Sequence, residues 1–203
     1  EEKRIHCIPT FTASKTTIGK QQIGSYGLYF GRVTEEKGVE TVIKAYEKLP
    51  EYTVKIMGDD TTDEAKRLKK YVENHKMKNV EFLGFKSGAE LENVIKGARF
   101  TLIPSIWYDN LPNTALESFQ YSKPVIASNI GSLPELVIDG ENGYLFKPSN
   151  VEDLIKKIKM LDDDTLVKKM GQASRKRLES RFAPQTHYED LMKIFNEAVK
   201  SRK

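Results

Sequence analysis

From residue 26 onward, short apolar runs alternate with longer segments in which apolar residues recur every three or four positions. The apolar runs occupy residues 26–30, 52–57, 80–83, 100–103, 124–127 and 144–146. Each run has the length of a strand, and the segments between them have the period of amphipathic helices. Strands that alternate with helices form βαβ units. The sequence therefore predicts an α/β domain of three layers, a central parallel sheet of about six strands with helices on both faces.

The pattern also predicts where the folded domain begins. Residues 1–24 contain Pro9, Gly19 and Gly24 and are expected to form an irregular lead-in, or interdomain linker. Residues 25–203 are expected to form one domain that ends in helices, because no linker-like stretch divides residues 25–180. The chain starts with Glu rather than Met, and we interpret it as a fragment of a longer protein.

Composition and charge exclude several classes of protein. Hydrophobic residues make up 38% and charged residues 31% of the chain, which argues against global disorder. The formal net charge of +4 is too small for a dedicated nucleic-acid binder, and basic and acidic residues are interspersed along the sequence. No apolar run approaches the roughly 20 residues of a membrane span. The single cysteine, Cys7, excludes a disulfide framework and fits a reducing compartment, so a cytoplasmic location is expected.

In such folds ligands bind at the carboxyl ends of the strands, so the loops that follow the strands are candidate sites. The loop after the first strand contains Gly31, whose backbone can turn sharply, and two cations, Arg32 and Lys37. Two cations beside the start of a helix suit a diphosphate. The loop is neither a Walker loop nor a Gly-x-Gly-x-x-Gly fingerprint. The alternative is a solvated loop with charged side chains.

The loop after the fourth strand carries two carboxylates. Asp109 lies in the loop and Glu117 lies eight residues later, inside the following helix. Carboxylates near a phosphate-binding helix start suit sugar hydroxyls, because each oxygen accepts a hydrogen bond from a hydroxyl. The alternative is structural, with Glu117 in a cap or ion pair and Asp109 at a turn.

Two further loops carry weaker signals. Gly84, Phe85 and Lys86 follow the third strand and could flank a nucleobase. Gly131 and Ser132 follow the fifth strand and could offer backbone N–H groups. Each is also compatible with an ordinary turn.

Seven segments, taken in order, resemble the C-terminal, nucleotide-sugar-binding domain of the retaining group 1 glycosyltransferases, family four, of the two-domain GT-B type. The segments are YFGRVTEEKGV (29–39), IMGD (56–59), VEFLGF (80–85), IPS (103–105), NTALESFQYSKPVIAS (113–128), GSLPELV (131–137) and DGENGYLF (139–146). The resemblance covers about residues 5 to 200, nearly all of the chain. It implies a Rossmann-like domain that forms one half of a GT-B fold.

The resemblance also implies roles for particular residues. Arg32 and Lys37 contact the donor diphosphate, and Gly31 lets the loop approach it. The Glu-x7-Glu pattern of the family falls on Asp109 and Glu117, which face the donor sugar and the ribose hydroxyls, respectively. Asp109 departs from the pattern, because its side chain is one methylene shorter than Glu and its reach is altered.

Backbone groups complete the implied donor site. The N–H groups of Asn113, Thr114 and Ala115 face phosphate at the start of a helix. The loop formed by Gly84, Phe85 and Lys86 flanks the base.

Two cations and a helix start can stabilise the leaving diphosphate, so no metal or other cofactor is expected. The sequence Asp162-Asp163-Asp164 formally matches an Asp-x-Asp metal motif, but it heads a helix and is predicted to cap it. The implied partners are a nucleotide sugar, the N-terminal domain of the same polypeptide and an acceptor that can be membrane-associated, which would place the protein at the membrane surface. Alone, this domain is expected to transfer little or no sugar. The competing hypothesis is a non-catalytic nucleotide-binding or interaction module of the same fold.

Overall fold

The computed structural model describes residues 6–12 and 21–200, so much of the predicted lead-in lies outside the described residues. Its centre is a six-stranded sheet in which all neighbouring strands run parallel. The strands are β1 (Tyr26–Phe30), β2 (Thr53–Met57), β3 (Val80–Gly84), β4 (Ala98–Ile103), β5 (Val125–Ser128) and β6 (Gly143–Phe146). Their order across the sheet is β3-β2-β1-β4-β5-β6. The predicted parallel sheet is confirmed, and it is Rossmann-like.

Helices cover both faces of this sheet. They are α1 (Val39–Glu47), α2 (Asp63–Asn74), α3 (Gly88–Gly97), α4 (Asn113–Gln120), α5 (Leu133–Leu136), α6 (Val151–Met160), α7 (Asp164–Arg181) and α8 (Pro184–Lys200). In β1, Tyr29 joins the apolar cluster of α1, α2 and α6, whereas Leu28 and Phe30 join a cluster that includes Ile95 of α3. Successive strand residues point to opposite faces, so this division shows that the sheet is buried on both sides.

The strand order places a topological switch between β1 and β4. The chain proceeds from β1 outward through β2 to β3, then crosses back to β4 and continues outward to β6. Because β1 and β4 are neighbours, with Tyr29 paired to Leu102, the loops that follow them start side by side. Ligands of open α/β sheets bind in the crevice at such a switch.

Lys123 supports the end of the sheet at which the strands begin, opposite the ligand crevice. The sequence did not indicate a role for it. It lies between α4 and β5, and its side chain is buried. Its ammonium donates to the carbonyl oxygens of Gln22 at 2.6 Å, Lys96 at 2.7 Å and Ala98 at 2.7 Å. Burial lowers the pKa of Lys123 to about 8. One side chain thus joins the approach to β1, the end of α3 and the start of β4.

The aspartate run at residues 162–164 has a structural role. Asp163 caps α7, since its carboxylate accepts from the N–H groups of Thr165 and Leu166. Asp164 pairs with Arg99 at 2.6 Å. The predicted capping is therefore confirmed. Among the described residues, no helix is both long and apolar enough to cross a bilayer.

Candidate functional site

The loop between β1 and α1 is held by contacts between main chains. Gly31 has φ +145° and donates its N–H to the carbonyl of Met57 at 2.9 Å. A Cβ atom on Gly58 would lie 1.9 Å from the carbonyl oxygen of Gly31, so a larger residue at position 58 would displace the loop. The Tyr29 hydroxyl donates to the carbonyl of Arg32. These contacts fix the backbone that presents Arg32.

The same loop is joined to the loop after β4. The carbonyl of Glu36 accepts from the N–H of Ile106 at 3.0 Å and from the Ser105 hydroxyl at 3.1 Å. Gly38, with φ +67°, lies so close to Pro104 that a Cβ atom would be 2.1 Å from the Pro104 carbonyl oxygen. Two loops far apart in sequence therefore form one surface.

An ion pair lies where these loops meet. Lys37 Nζ and Asp109 Oδ1 are 2.5 Å apart, and their side chains are only 20% and 18% exposed. The other carboxylate oxygen of Asp109, Oδ2, is buried and has no hydrogen-bond partner among the described residues. Buried acceptors in native proteins are normally paired. Asp109 therefore has a vacant acceptor suited to a hydroxyl or another hydrogen-bond donor.

Arg32 is the second cation of the site. Its side chain is exposed, and no ion pair or hydrogen bond of its guanidinium is found in residues 6–12 and 21–200. It borders a cavity of about 340 Å³ between the loops after β1 and β4. The lining residues are Tyr29, Phe30, Gly31, Arg32, Lys37, Leu102, Ile103, Pro104, Ser105, Asp109, Pro112, Asn113 and Thr114. This cavity combines two cations, a carboxylate and the start of α4.

A second cavity, of about 310 Å³, adjoins the first and shares Phe30, Gly31, Arg32 and Thr114 with it. Its other lining residues are Met57, Gly58, Asp59, Phe85, Lys86, Leu91 and Glu117. Four of the side chains are large and apolar, namely Phe30, Met57, Phe85 and Leu91. Phe85 is 75% exposed. The two cavities form a continuous groove, polar at one end and largely apolar at the other.

Glu117 projects from α4 into the apolar end of this groove. Its carboxylate is half-buried and forms no hydrogen bond or ion pair within the described part of the chain. Burial raises the pKa of Glu117, because no cation compensates for the lost hydration. The predicted functional reading of Glu117 is favoured over a cap or ion pair, since neither is present.

We expect Glu117→Gln to raise the free energy of unfolding at pH 7 by about 0.5–1 kcal/mol. The raised folded-state pKa means that ionisation of Glu117 destabilises the folded state, increasingly as pH rises from the unfolded-state pKa through the folded-state pKa. The gain should therefore decline as pH falls through the unfolded-state pKa of about 4.3, and vanish well below it, where the carboxyl is protonated in both states. Urea unfolding of both proteins at several pH values measures it. An equal gain at all pH values would contradict this origin.

The residues at the start of α4 differ in how they face the groove. Asn113 and Thr114 line the first cavity. Ala115, however, is fully buried, and its N–H donates to the carbonyl of Pro112 at 3.0 Å. The first turn closes on itself through this bond, as helix ends often do. Asn113 and Thr114 therefore border the cavity, whereas the Ala115 N–H is used inside the first turn. The phosphate contacts of this turn stay a prediction.

The two weaker loops have different parts in the site. Gly84 has φ +67° and accepts from the N–H of Gly58 at 3.0 Å, so it shapes a turn and does not line either cavity. Its neighbours Phe85 and Lys86 do line the groove. In the loop after β5, the Ser132 hydroxyl donates to the carbonyls of Asp109 and Asn110, at 3.0 and 2.7 Å. This loop supports the backbone at Asp109 through the Ser132 side chain.

Residues 14–177 match the sequence profile of the family described as "Glycosyl transferases group 1". The chain belongs to this family. An uncharacterized glycosyltransferase of Methanocaldococcus jannaschii is 30% identical over 174 residues, which cover 85% of this chain and 48% of that protein. The domain thus spans about half the length of this relative.

Solved structures confirm the Rossmann-like fold of GT-B glycosyltransferases for this domain. Anabaena HepE, solved in complex with UDP and glucose, has a TM-score of 0.76 at 22% identity over 85% of this chain and 48% of that chain. The C-terminal domain of a group 1 glycosyltransferase, LpcC, from Francisella tularensis has a TM-score of 0.69 at 25% identity over 87% of this chain and 96% of that chain.

Proposed function

We propose that this glycosyltransferase domain binds a nucleotide-diphosphate sugar and forms the donor half of a retaining enzyme of family four. The observation that carries the proposal is the meeting of Lys37 and Asp109 at the switch point, with Asp109 Oδ2 left without a partner and Arg32 free beside it. A diphosphate joined to a sugar offers what this arrangement lacks, namely anionic oxygens for the cations and hydroxyl donors for the carboxylate.

The diphosphate of the donor would lie in the first cavity, which Arg32 and Lys37 both line. As the glycosidic bond to the diphosphate breaks, negative charge grows on the leaving oxygens. Arg32, Lys37 and the backbone of Asn113 and Thr114 would stabilise that charge from positions fixed before the reaction. We propose that the site works in this way without a metal ion or other cofactor.

The sugar and the nucleoside would lie on either side of the diphosphate. Asp109 Oδ2 would accept a hydrogen bond from a hydroxyl of the donor sugar. Glu117 would accept hydrogen bonds from the ribose hydroxyls. These bonds would also give its half-buried carboxylate the partners that it lacks. The base would lie against the apolar side chains near Phe85. That HepE was solved with UDP supports a uridine or related nucleotide here.

The rest of the reaction would depend on a second domain. The chain spans about half the length of its relative from Methanocaldococcus jannaschii. We therefore propose that an N-terminal domain of the same polypeptide supplies the other wall of the cleft. A cleft with one wall cannot exclude water or hold an acceptor in reacting position against the donor. This chain alone should therefore bind donor weakly and transfer little sugar. We place the whole protein in the cytoplasm, at the membrane surface when its acceptor is lipid-linked, in glycan, polysaccharide or glycolipid synthesis.

Calorimetric titration with UDP, GDP, ADP and their glucose conjugates tests the proposal. We expect one nucleotide to bind at least tenfold more tightly than the others, and amide NMR shifts in the loops after β1 and β4. Mg²⁺ should not be required for binding. An absence of both heat and shifts with every nucleotide would contradict donor binding and favour the non-catalytic interaction module.

A further inference from the structure

The loop after β4 exposes three consecutive large apolar side chains. Ile106, Trp107 and Tyr108 are 37%, 64% and 75% exposed. Contiguous exposed apolar surface on a folded domain usually marks a binding site. None of these three side chains has a role in the proposed donor site.

The exposure does not result from a loose loop. The carbonyl of Trp107 accepts from the Asp109 N–H at 2.9 Å and from the Ser105 hydroxyl at 3.3 Å. On the other side, a Cβ atom on Gly131 would lie 3.3 Å from the Cα atom of Tyr108, so the loop after β5 packs closely against this backbone. The aromatic rings are therefore presented from a fixed frame, which reduces the entropy lost on binding.

These rings border a third cavity, of about 620 Å³. Its lining residues are Arg32, Glu36, Lys37, Trp107, Tyr108, Asp109 and Asn110. Arg32, Lys37 and Asp109 also line the first cavity, in which the diphosphate is proposed to bind. The third cavity therefore opens directly beside the proposed reacting end of the donor. A ligand in it would face the ion pair on one side and the aromatic rings on the other.

We propose that this third cavity binds a sugar ring of a saccharide acceptor. A pyranose has one face of C–H groups, which packs on an aromatic ring, and a rim of hydroxyls, which hydrogen-bond to carboxylates and amides. Trp107 and Tyr108 supply the rings, and Glu36 and Asn110 supply the polar groups. The assignment to an acceptor, rather than to any saccharide, rests on the proposed function.

The charges of the cavity favour a sugar over a lipid chain or an apolar protein surface. Four of its seven lining residues are of charged types, two basic and two acidic. An acyl chain or an apolar helix would cover these groups without replacing their lost hydration. Hydroxyls would replace it with hydrogen bonds. The cavity therefore matches a polyhydroxylated ligand that also has an apolar face.

The chain offers a specific probe, because Trp107 is its only tryptophan. The indole Nε1–H gives a single cross peak in a proton–nitrogen NMR spectrum of the 203-residue chain. We expect this peak to move saturably on titration with at least one of methyl glucoside, methyl galactoside and methyl N-acetylglucosaminide, each up to about 50 mM, which detects dissociation constants of that order. Sorbitol, a polyol without a ring, should leave it unmoved.

Variants locate the effect. Tyr108→Ala and Asn110→Ala should each weaken glycoside binding at least threefold. Tyr188→Ala, which removes a tyrosine 58% exposed on α8, is the matched control and should change nothing. Affinity for the preferred nucleotide within twofold of the original would show that each variant is folded.

Three results would overturn the inference. The first is an indole peak that no glycoside moves, in the presence or absence of nucleotide. The second is a blue shift of tryptophan fluorescence with phosphatidylglycerol vesicles and none with glycosides, which would indicate a lipid surface. The third is glycoside binding in a chain that binds no nucleotide, which would refute the proposed function and with it the acceptor assignment. Nucleotide binding without glycoside binding would refute this inference alone.

Discussion

Replacing Lys37 by alanine should weaken the binding of the preferred nucleotide sugar well over tenfold. The substitution removes a charge-assisted contact to the diphosphate and also leaves the Asp109 carboxylate, 18% exposed, without its cation. The uncompensated carboxylate would then repel the incoming diphosphate. Arg32→Ala should lower affinity by more than tenfold through the lost contact alone, because Arg32 holds no carboxylate in the described structure.

Calorimetry with the nucleotide sugar measures both effects. Lys66→Ala is the matched control, since Lys66 is 66% exposed and pairs with Asp63 at 3.6 Å on the surface of α2. The double variant Lys37→Ala, Asp109→Asn separates the two causes. It should recover part of the loss of Lys37→Ala by removing the repulsion, but not the lost contact. Unchanged affinity in Arg32→Ala and Lys37→Ala would refute the diphosphate clamp.

The second large effect concerns stability. Lys123→Met should lower the free energy of unfolding by about 3–5 kcal/mol. Methionine fills a similar volume, but the carbonyls of Gln22, Lys96 and Ala98 would lose the donor that they share. The bond to Ala98 is buried and the other two are partly buried. A buried carbonyl left without a partner is among the few causes of so large an effect of one substitution.

Urea unfolding followed by circular dichroism measures this loss. Lys159→Met, at an exposed position in the last turn of α6, should change stability by no more than about 0.5 kcal/mol. A loss for Lys123→Met as small as that of the control would mean that water or a shifted backbone satisfies the three carbonyls. In that case Lys123 would not join the three segments.

The fold was predictable because its signals are local. Each apolar run lies within one or two residues of an observed strand, since burial on both faces leaves nearly continuous apolar sequence. The site loops were predictable for the related reason that parallel strands end at one edge of the sheet. The shared direction of the strands thus brings Arg32 and Asp109 to the same groove.

The remaining features depend on contacts that no local pattern records. Lys37 and Asp109 are 72 residues apart, and their pairing requires β1 to lie beside β4. No local pattern indicated that the first turn of α4 uses the N–H of Ala115 internally. A lysine beside an apolar strand suggests a solvated charge, so Lys123 gave no sign of its burial. The aromatic pair at 107 and 108 lay inside a loop already singled out for its carboxylates.

The position of β1 between β2 and β4 has a consequence for the order of folding. During synthesis β1 can pair with β2 once about the first quarter of the chain is available, but its other edge stays open until β4 has been made. Closing that second edge requires a loop of about 70 residues, and long-range pairings of this kind form slowly. We therefore expect the groove between the loops after β1 and β4 to be among the later features to form. A nascent or partly folded chain would then have an exposed edge at its centre and no ligand site, and a nucleotide that binds only the closed groove would favour completion of the sheet.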